Sequence, residues 1–182
     1  KIRQIGCWNR NTILVRKVSP VIPISNGFQI TDVFPNKHRK QLIKDLKPLL
    51  TLDADGEWVT DDLRFHEDFK SSCSHIVNRF EEIVGEKLFL MNAWVVYSKG
   101  EKFNYHTHPF DFACVYYIKT NPLLKNNGTK FKLPNGKTQL VKTPQNGALL
   151  FPGKMAHATP SFFLPVTRYT LSMDLNYSWR MQ

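Results

Sequence analysis

The sequence predicts an α+β fold with helices packed on one face of a β-sandwich or barrel. Apolar residues recur at helical spacing at Leu42, Ile43, Leu46, Leu49 and Leu50, and again at Phe65, Phe69, Cys73, Ile76, Val77, Phe80 and Ile83. From Leu88 onward, runs rich in β-branched and aromatic residues take over, divided by turn residues. Helices grouped ahead of strands give the α+β order, not the alternation of a parallel α/β sheet. With 182 residues, 42% hydrophobic and 13% aromatic, the chain is long and apolar enough for one domain with a sizeable core.

The elements follow in order. Residues 13–18 (ILVRKV) form a strand candidate, and Pro20 and Pro23 break the next run. Residues 28–34 (FQITDVF) alternate and read as a strand or a lead-in to a helix. Residues 36–50 make the first helix, with Lys and Arg opposite its apolar stripe. Residues 53–62 are a polar loop turning at Asp55-Gly56; they lack the twelfth-position Glu of a calcium loop. A second helix covers about 62–84 and stops at Gly85. Strands follow at 88–98, 112–119, 139–142, 148–151 and 168–177, and turn signals at 126–128 and 134–136 flank further short strands. The expected organisation is a single domain over 1–182, helical and irregular over 1–87 and β over 88–182.

Composition narrows the function. Net charge is +10, which fits a solubilising surface or the steering of an anionic substrate or a nucleic acid. No helix-turn-helix or RNA-binding signature accompanies it. Cys7, Cys73 and Cys114 are odd in number and lack a CxxC, which argues against a disulfide framework and a zinc ribbon. A reducing, cytoplasmic setting is expected. No apolar run approaches the ~20 residues of a membrane span, and KIRQIGCWNRN has no apolar core of a signal peptide.

The chemistry concentrates in NYHTHPFDFACVYY. His106 and His108 stand at i and i+2 of an extended segment and so aim at one side. His157 follows in LLFPGKMAHATP, and Arg168 comes eleven residues later. Three imidazoles with open positions suit non-haem Fe(II), although neutral imidazoles also take Zn, Cu and Ni. HxH alone is a weak motif. Its company strengthens it: Tyr97 and Gly100 before it, VYY after it, and a Gly147-x4-Pro152-Gly153-x3-His157 segment. In the last strand Arg168, Thr170, Ser172, Asp174 and Asn176 share one face, and Tyr169, Leu171, Met173 and Leu175 the other. That polar face is either a solvent-facing edge or the inside of a barrel lining a ligand site, and the histidines favour the second. His38, His66 and His75 have no partner at i+3 or i+4 and read as surface or packing residues.

On these residues, 91–177 resembles the double-stranded β-helix (jelly-roll) core of the Fe(II)/2-oxoglutarate-dependent dioxygenases. It is nearest the prolyl-hydroxylase-like branch and the small bacterial and phage oxygenases. The resemblance implies Fe(II) on His106, His108 and His157. It implies 2-oxoglutarate on Arg168, with Tyr97, Tyr117, Ser172 and Thr170 assisting, and O2 as the oxidant. The implied reaction is hydroxylation of a C–H bond in a protein side chain of the prolyl type or in a small molecule. The family usually has HxD where this chain has HxH, so Asp111 stands as an alternative carboxylate ligand. Gly100-x5-His106-x-His108 also resembles the first cupin motif, which leaves open a three-histidine dioxygenase that does not use 2-oxoglutarate. A non-enzymatic binding module with a basic surface is a third reading. Trp94, Phe103, Phe110, Phe112 and Phe151 are wall candidates for the site, residues 121–142 are expected to shape selectivity, and Cys114 reads as packing.

Overall fold

The computed structural model describes residues 21–24, 27–54, 56–100, 104–121, 127–161 and 167–181. The strand candidate at 13–18 and Phe103 lie outside them. Two antiparallel sheets and two α-helices form the described fold, an α+β jelly-roll-like architecture. The elements are β1 (Val21–Ile24), β2 (Gly27–Ile30), α1 (Asn36–Leu46), β3 (Thr51–Leu52), β4 (Trp58–Val59) and α2 (Glu67–Val84). There follow β5 (Leu88–Ser98), β6 (Phe112–Lys119), β7 (Gly128–Lys132), β8 (Thr138–Lys142), β9 (Ala148–Pro152), β10 (His157–Ala158) and β11 (Arg168–Tyr177).

The larger sheet runs β1-β2-β9-β6-β11-β5-β4-β3 and the smaller β10-β7-β8. Strand alternation divides their side chains between two cores. Cys114, Tyr116, Ile118, Leu150, Leu171 and Met173 face the helices, where they pack with Leu42, Leu46, Phe69, Ile76 and Phe80. Ala113, Tyr117, Leu149 and Phe151 face the smaller sheet and pack with Phe131 and Val141. Cys114 is therefore a packing residue on the helix side, as its apolar neighbours in sequence suggest.

The helices keep their faces but not their full lengths. Pro48 lacks the N–H that an α-helix needs, so α1 ends at Leu46 and a 3-10 turn, Lys47–Leu49, replaces its last turn. Arg39, buried in α1, donates to Ile118 O (3.1 Å) and so straps the helix to β6. The second helix starts later than its periodicity suggests. Asp62 caps a short 3-10 turn, Leu63–Phe65, by accepting from Arg64 N at 3.0 Å, and α2 begins at Glu67. Phe65 consequently leaves the apolar stripe and is 80% exposed. Gly85 ends α2 in the left-handed conformation, φ +77°, and donates to Glu81 O.

The N-terminal part is less irregular than expected. Of residues 28–34 only the first three extend into β2, which pairs with β9 and extends the large sheet. The loop at 53–62 contains β4, which pairs with β3 and also with β5 through Trp58↔Tyr97 and Val59↔Val96. Among the described residues no helix is long and apolar enough to cross a membrane.

Candidate metal and oxo-acid site

Two backbone segments meet to build the site. His106 N donates to His157 O and His157 N donates to His106 O, both at 3.0 Å, so the two residues face each other as an isolated antiparallel bridge. His108 N donates to Gly153 O (2.8 Å), and Gly153 N donates to Asp111 O (2.9 Å). The approach is close: a Cβ on Gly153 would sit 2.2 Å from Phe110 O. The glycine of the PG turn thus lets the HxH segment dock against the turn that delivers His157.

One imidazole nitrogen from each of His106, His108 and His157 lies within 4.8 Å of the others. The second nitrogens explain the orientation. His106 Nδ1 lies 3.0 Å from Asn104 O, and His157 Nδ1 lies 2.9 Å from Met155 O. A carbonyl oxygen only accepts, so each Nδ1 carries the proton and each Nε2 keeps its lone pair. His108 Nδ1 lies 2.6 Å from Asp174 Oδ1, which places a proton on that side of the ring, so that in the neutral imidazole the lone pair is on Nε2. Burial pushes the His157 imidazole down to about 4, and the neighbouring His106 and His108 push the same way. His157 is therefore a neutral donor at pH 7. Phe151 packs edge-on against its ring at 4.6 Å, and Trp94 lies nearly parallel to His108 at 6.0 Å.

The three histidines open on a cavity between the two sheets. Its wall includes Trp94 and Val96 of β5, Tyr117 of β6, Thr129 of β7 and Arg168, Thr170 and Ser172 of β11. Its volume of about 120 Å³ is several times the ~10–15 Å³ that one water needs. The registers Thr170↔Tyr117 and Thr170↔Val96 set these side chains side by side. Arg168 is 2% exposed, a cation inside the sandwich. The Tyr117 and Thr129 hydroxyls are 2.6 Å apart, and burial pushes the Tyr117 phenol up, so it stays protonated. Three imidazoles so placed can hold a divalent metal through their unprotonated nitrogens. A guanidinium and protonated hydroxyls in the same cavity can hold a carboxylate. The residues present fit an iron–keto-acid pair.

The structure brings His106, His108, His157, Arg168, Tyr117, Thr170 and Ser172 to this cavity and leaves Tyr97 outside it. Tyr97 alternates with Val96 and points to the helix side, where its ring meets Tyr169 at 4.9 Å. Asp111 is also elsewhere: its Oδ2 accepts from Tyr177 N and its Oδ1 pairs with Arg180 at 3.1 Å. The structure thus places His108, and not Asp111, beside His106 and His157. Phe112 faces the helix core beside Tyr177, so it is no wall of the site, whereas Trp94 is. The remaining histidines pack elsewhere, His38 against Ser72, His75 against Val33 O and His66 against Phe69. Sequence reasoning gave Asp174 no role in the site. Its place on the polar face of β11, six residues after Arg168, was the available signal.

No protein-family model matches the sequence, and no curated protein does. Solved structures do match the fold. HygX from Streptomyces hygroscopicus, solved with nickel, 2-oxoglutarate and hygromycin B bound, superposes with a TM-score of 0.71 over 85% of this chain and 84% of its own, at 11% identity. The non-haem α-ketoglutarate-dependent epimerase SnoN from nogalamycin biosynthesis gives 0.69 over 84% and 78%, at 12% identity. A Pseudomonas putida prolyl-4-hydroxylase gives 0.60 over 82% and 91%, at 13% identity. The chain thus has the fold of the 2-oxoglutarate- and iron-dependent oxygenases.

Proposed function

We propose that this protein is an Fe(II)- and 2-oxoglutarate-dependent oxygenase that oxidises a C–H bond of a small organic substrate. The observation that carries the reading is the convergence of three Nε2 lone pairs on a cavity whose wall also holds the buried Arg168. His106, His108 and His157 would hold the iron. Arg168 would bind the distal carboxylate of 2-oxoglutarate in a two-donor fork, with hydroxyls from Tyr117, Thr170 and Ser172 beside it. Iron and keto acid together supply the oxidising power when bound, and the chain's own residues orient and enclose. Trp94 and Phe151 keep water from the imidazoles, and the exposed edge of His106 marks the side on which substrate enters.

HygX, solved with hygromycin B bound, and SnoN, from nogalamycin biosynthesis, superpose better than the prolyl-4-hydroxylase, 0.71 and 0.69 against 0.60, which supports a small-molecule substrate over a prolyl side chain. The buried thiols Cys73 and Cys114 are free, which supports a reducing, cytoplasmic setting. Uncoupled turnover tests the reading. The Fe(II)-loaded protein is expected to convert 2-oxoglutarate to succinate slowly without substrate, and His157→Ala and Arg168→Ala each to abolish this. Undiminished turnover in both variants would sink it. The all-imidazole ligand set favours a second reading, a three-histidine dioxygenase without a keto acid, in which Arg168 anchors the substrate itself. Oxygen consumption independent of 2-oxoglutarate would select it.

A further inference from the structure

We propose that Asp174 is a positioning residue that supplies the metal centre with its carboxylate charge from behind His108. This rests on the metal reading of the three histidines above.

Three neutral imidazoles leave a divalent ion with its full charge, where a set containing one carboxylate removes one unit. The histidines here are not equivalent. His106 and His157 offer their Nδ1 protons to neutral backbone carbonyls at 3.0 and 2.9 Å. His108 Nδ1 instead faces a carboxylate oxygen at 2.6 Å. Asp174 is nearly inaccessible, its side chain 4% exposed, so water does not screen the contact. Its other oxygen accepts from Asn92 Nδ2 at 2.9 Å, which fixes the carboxylate plane. Asn92 and Asp174 are register partners across β5 and β11, so the sheet itself sets that geometry. Oδ1 is buried with no hydrogen-bond partner among the described residues, so its charge acts on His108 as a close ion-pair contact at 2.6 Å.

Pulling on the Nδ1 proton raises electron density at Nε2 and gives His108 part of the character of an anionic ligand. The acidic residue stands on β11 and not in the HxH segment, and its charge reaches the ion through the ring. Asp174 also stands on the same face of the same strand as Arg168, with Thr170 and Ser172 between. β11 thereby carries the cation for the co-substrate and the anion for the metal.

The test compares wild type, Asp174→Asn and Asp111→Asn, each first checked for folding by circular dichroism. Asp174→Asn keeps the shape and removes the charge. Asp111→Asn removes a nearby carboxylate that does not touch a histidine. Affinity for Fe(II) and Ni(II), measured anaerobically by competition with a chromophoric chelator, is expected to fall roughly 10- to 100-fold in Asp174→Asn. It is expected to stay within about threefold of wild type in Asp111→Asn, since a charge not hydrogen-bonded to a ligand acts only through screened space. The visible Fe(II)–2-oxoglutarate charge-transfer band is expected to move to shorter wavelength in Asp174→Asn, because a less electron-rich iron is harder to oxidise. Equal losses in the two variants, or no loss in Asp174→Asn, would overturn the proposal. A nitrogen-15 spectrum of metal-free wild type adds a test that needs no variant: His108 is expected as the Nδ1–H tautomer with a strongly downfield proton, and the Nε2–H form would overturn the proposal. A wild type that binds metal through these histidines but shows no charge-transfer band would remove the 2-oxoglutarate reading and leave the Asp174 result standing. A wild type that binds no divalent metal would remove both.

Discussion

In the proposed function Arg168 and Tyr117 would divide the work of holding an anion, one by charge and one by a protonated hydroxyl. A guanidinium presents two parallel donors where an ammonium presents a point charge. Arg168→Lys is therefore expected to weaken 2-oxoglutarate binding at least about tenfold while leaving metal affinity unchanged, because hydrogen bonds to charged groups are worth about 1.5–3 kcal/mol. Calorimetric titration of the metal-loaded protein reads both. Tyr117→Phe leaves the Thr129 hydroxyl without its 2.6 Å partner, and a stability loss of about 1 kcal/mol is expected in a urea melt. Arg168, Thr170 and Ser172 were legible on one face because alternation in β11 assigns faces from sequence alone, whereas Tyr117 came from the family resemblance. Tyr97 shows the limit. Its place before the first histidine suggested a role, but the registers Thr170↔Val96 and Tyr169↔Tyr97 put Val96, and not Tyr97, on the cavity face. Asp111 and Asp174 show it again, since only the folded sheet reveals which carboxylate lies behind His108.

The site depends on elements too short to carry a sequence pattern. β10 has two residues, His157 and Ala158, and its pairing with β7 aligns His157 with Phe131. Two residues cannot show a period of two, so this strand was invisible, as were β3 and β4. The long amphipathic helix and the longer strands were legible because their apolar stripes repeat over several turns or pleats. Where their ends fell was decided by local chemistry, Pro48 for α1 and Asp62 for α2. Gly153→Ala probes the joint between the short elements. A Cβ there meets backbone, not a movable side chain, so the HxH segment must shift away from His157. Metal affinity is expected to fall at least about tenfold, consistent with the sensitivity of metal sites to supporting contacts. Phe80→Ala removes a fully buried ring of α2 on the far side of the sheet. A stability loss of about 3–5 kcal/mol is expected, with metal affinity of the surviving folded fraction unchanged.

At the scale of the molecule, one sheet separates two environments. Its outer face and the helices form the apolar core, and its inner face, roofed by the small sheet, forms the site. In the proposed function stability and metal binding would be linked through His157. Its imidazole titrates near 6.5 when unfolded and about 4 when folded. Between those values the unfolded chain holds more protons, so stability is complete above pH 6.5 and is lost as pH falls towards 4. The loss for the metal-free protein is on the order of 3 kcal/mol at most. Urea melts at pH 7 and pH 4.5 are expected to show it, and His157→Asn to flatten it. Bound metal adds stability at neutral pH by mass action, so chelation is expected to lower the melting temperature of wild type but not of His157→Asn.

The central claim is that one cavity joins a three-histidine metal centre to a guanidinium that holds a keto diacid. Anaerobic titration of the Fe(II)-loaded protein with 2-oxoglutarate tests it most directly. The claim predicts a visible charge-transfer band that saturates at one equivalent and is lost in Arg168→Ala, whose metal affinity stays intact. Iron bound without any band, or a band that survives in Arg168→Ala, would contradict it.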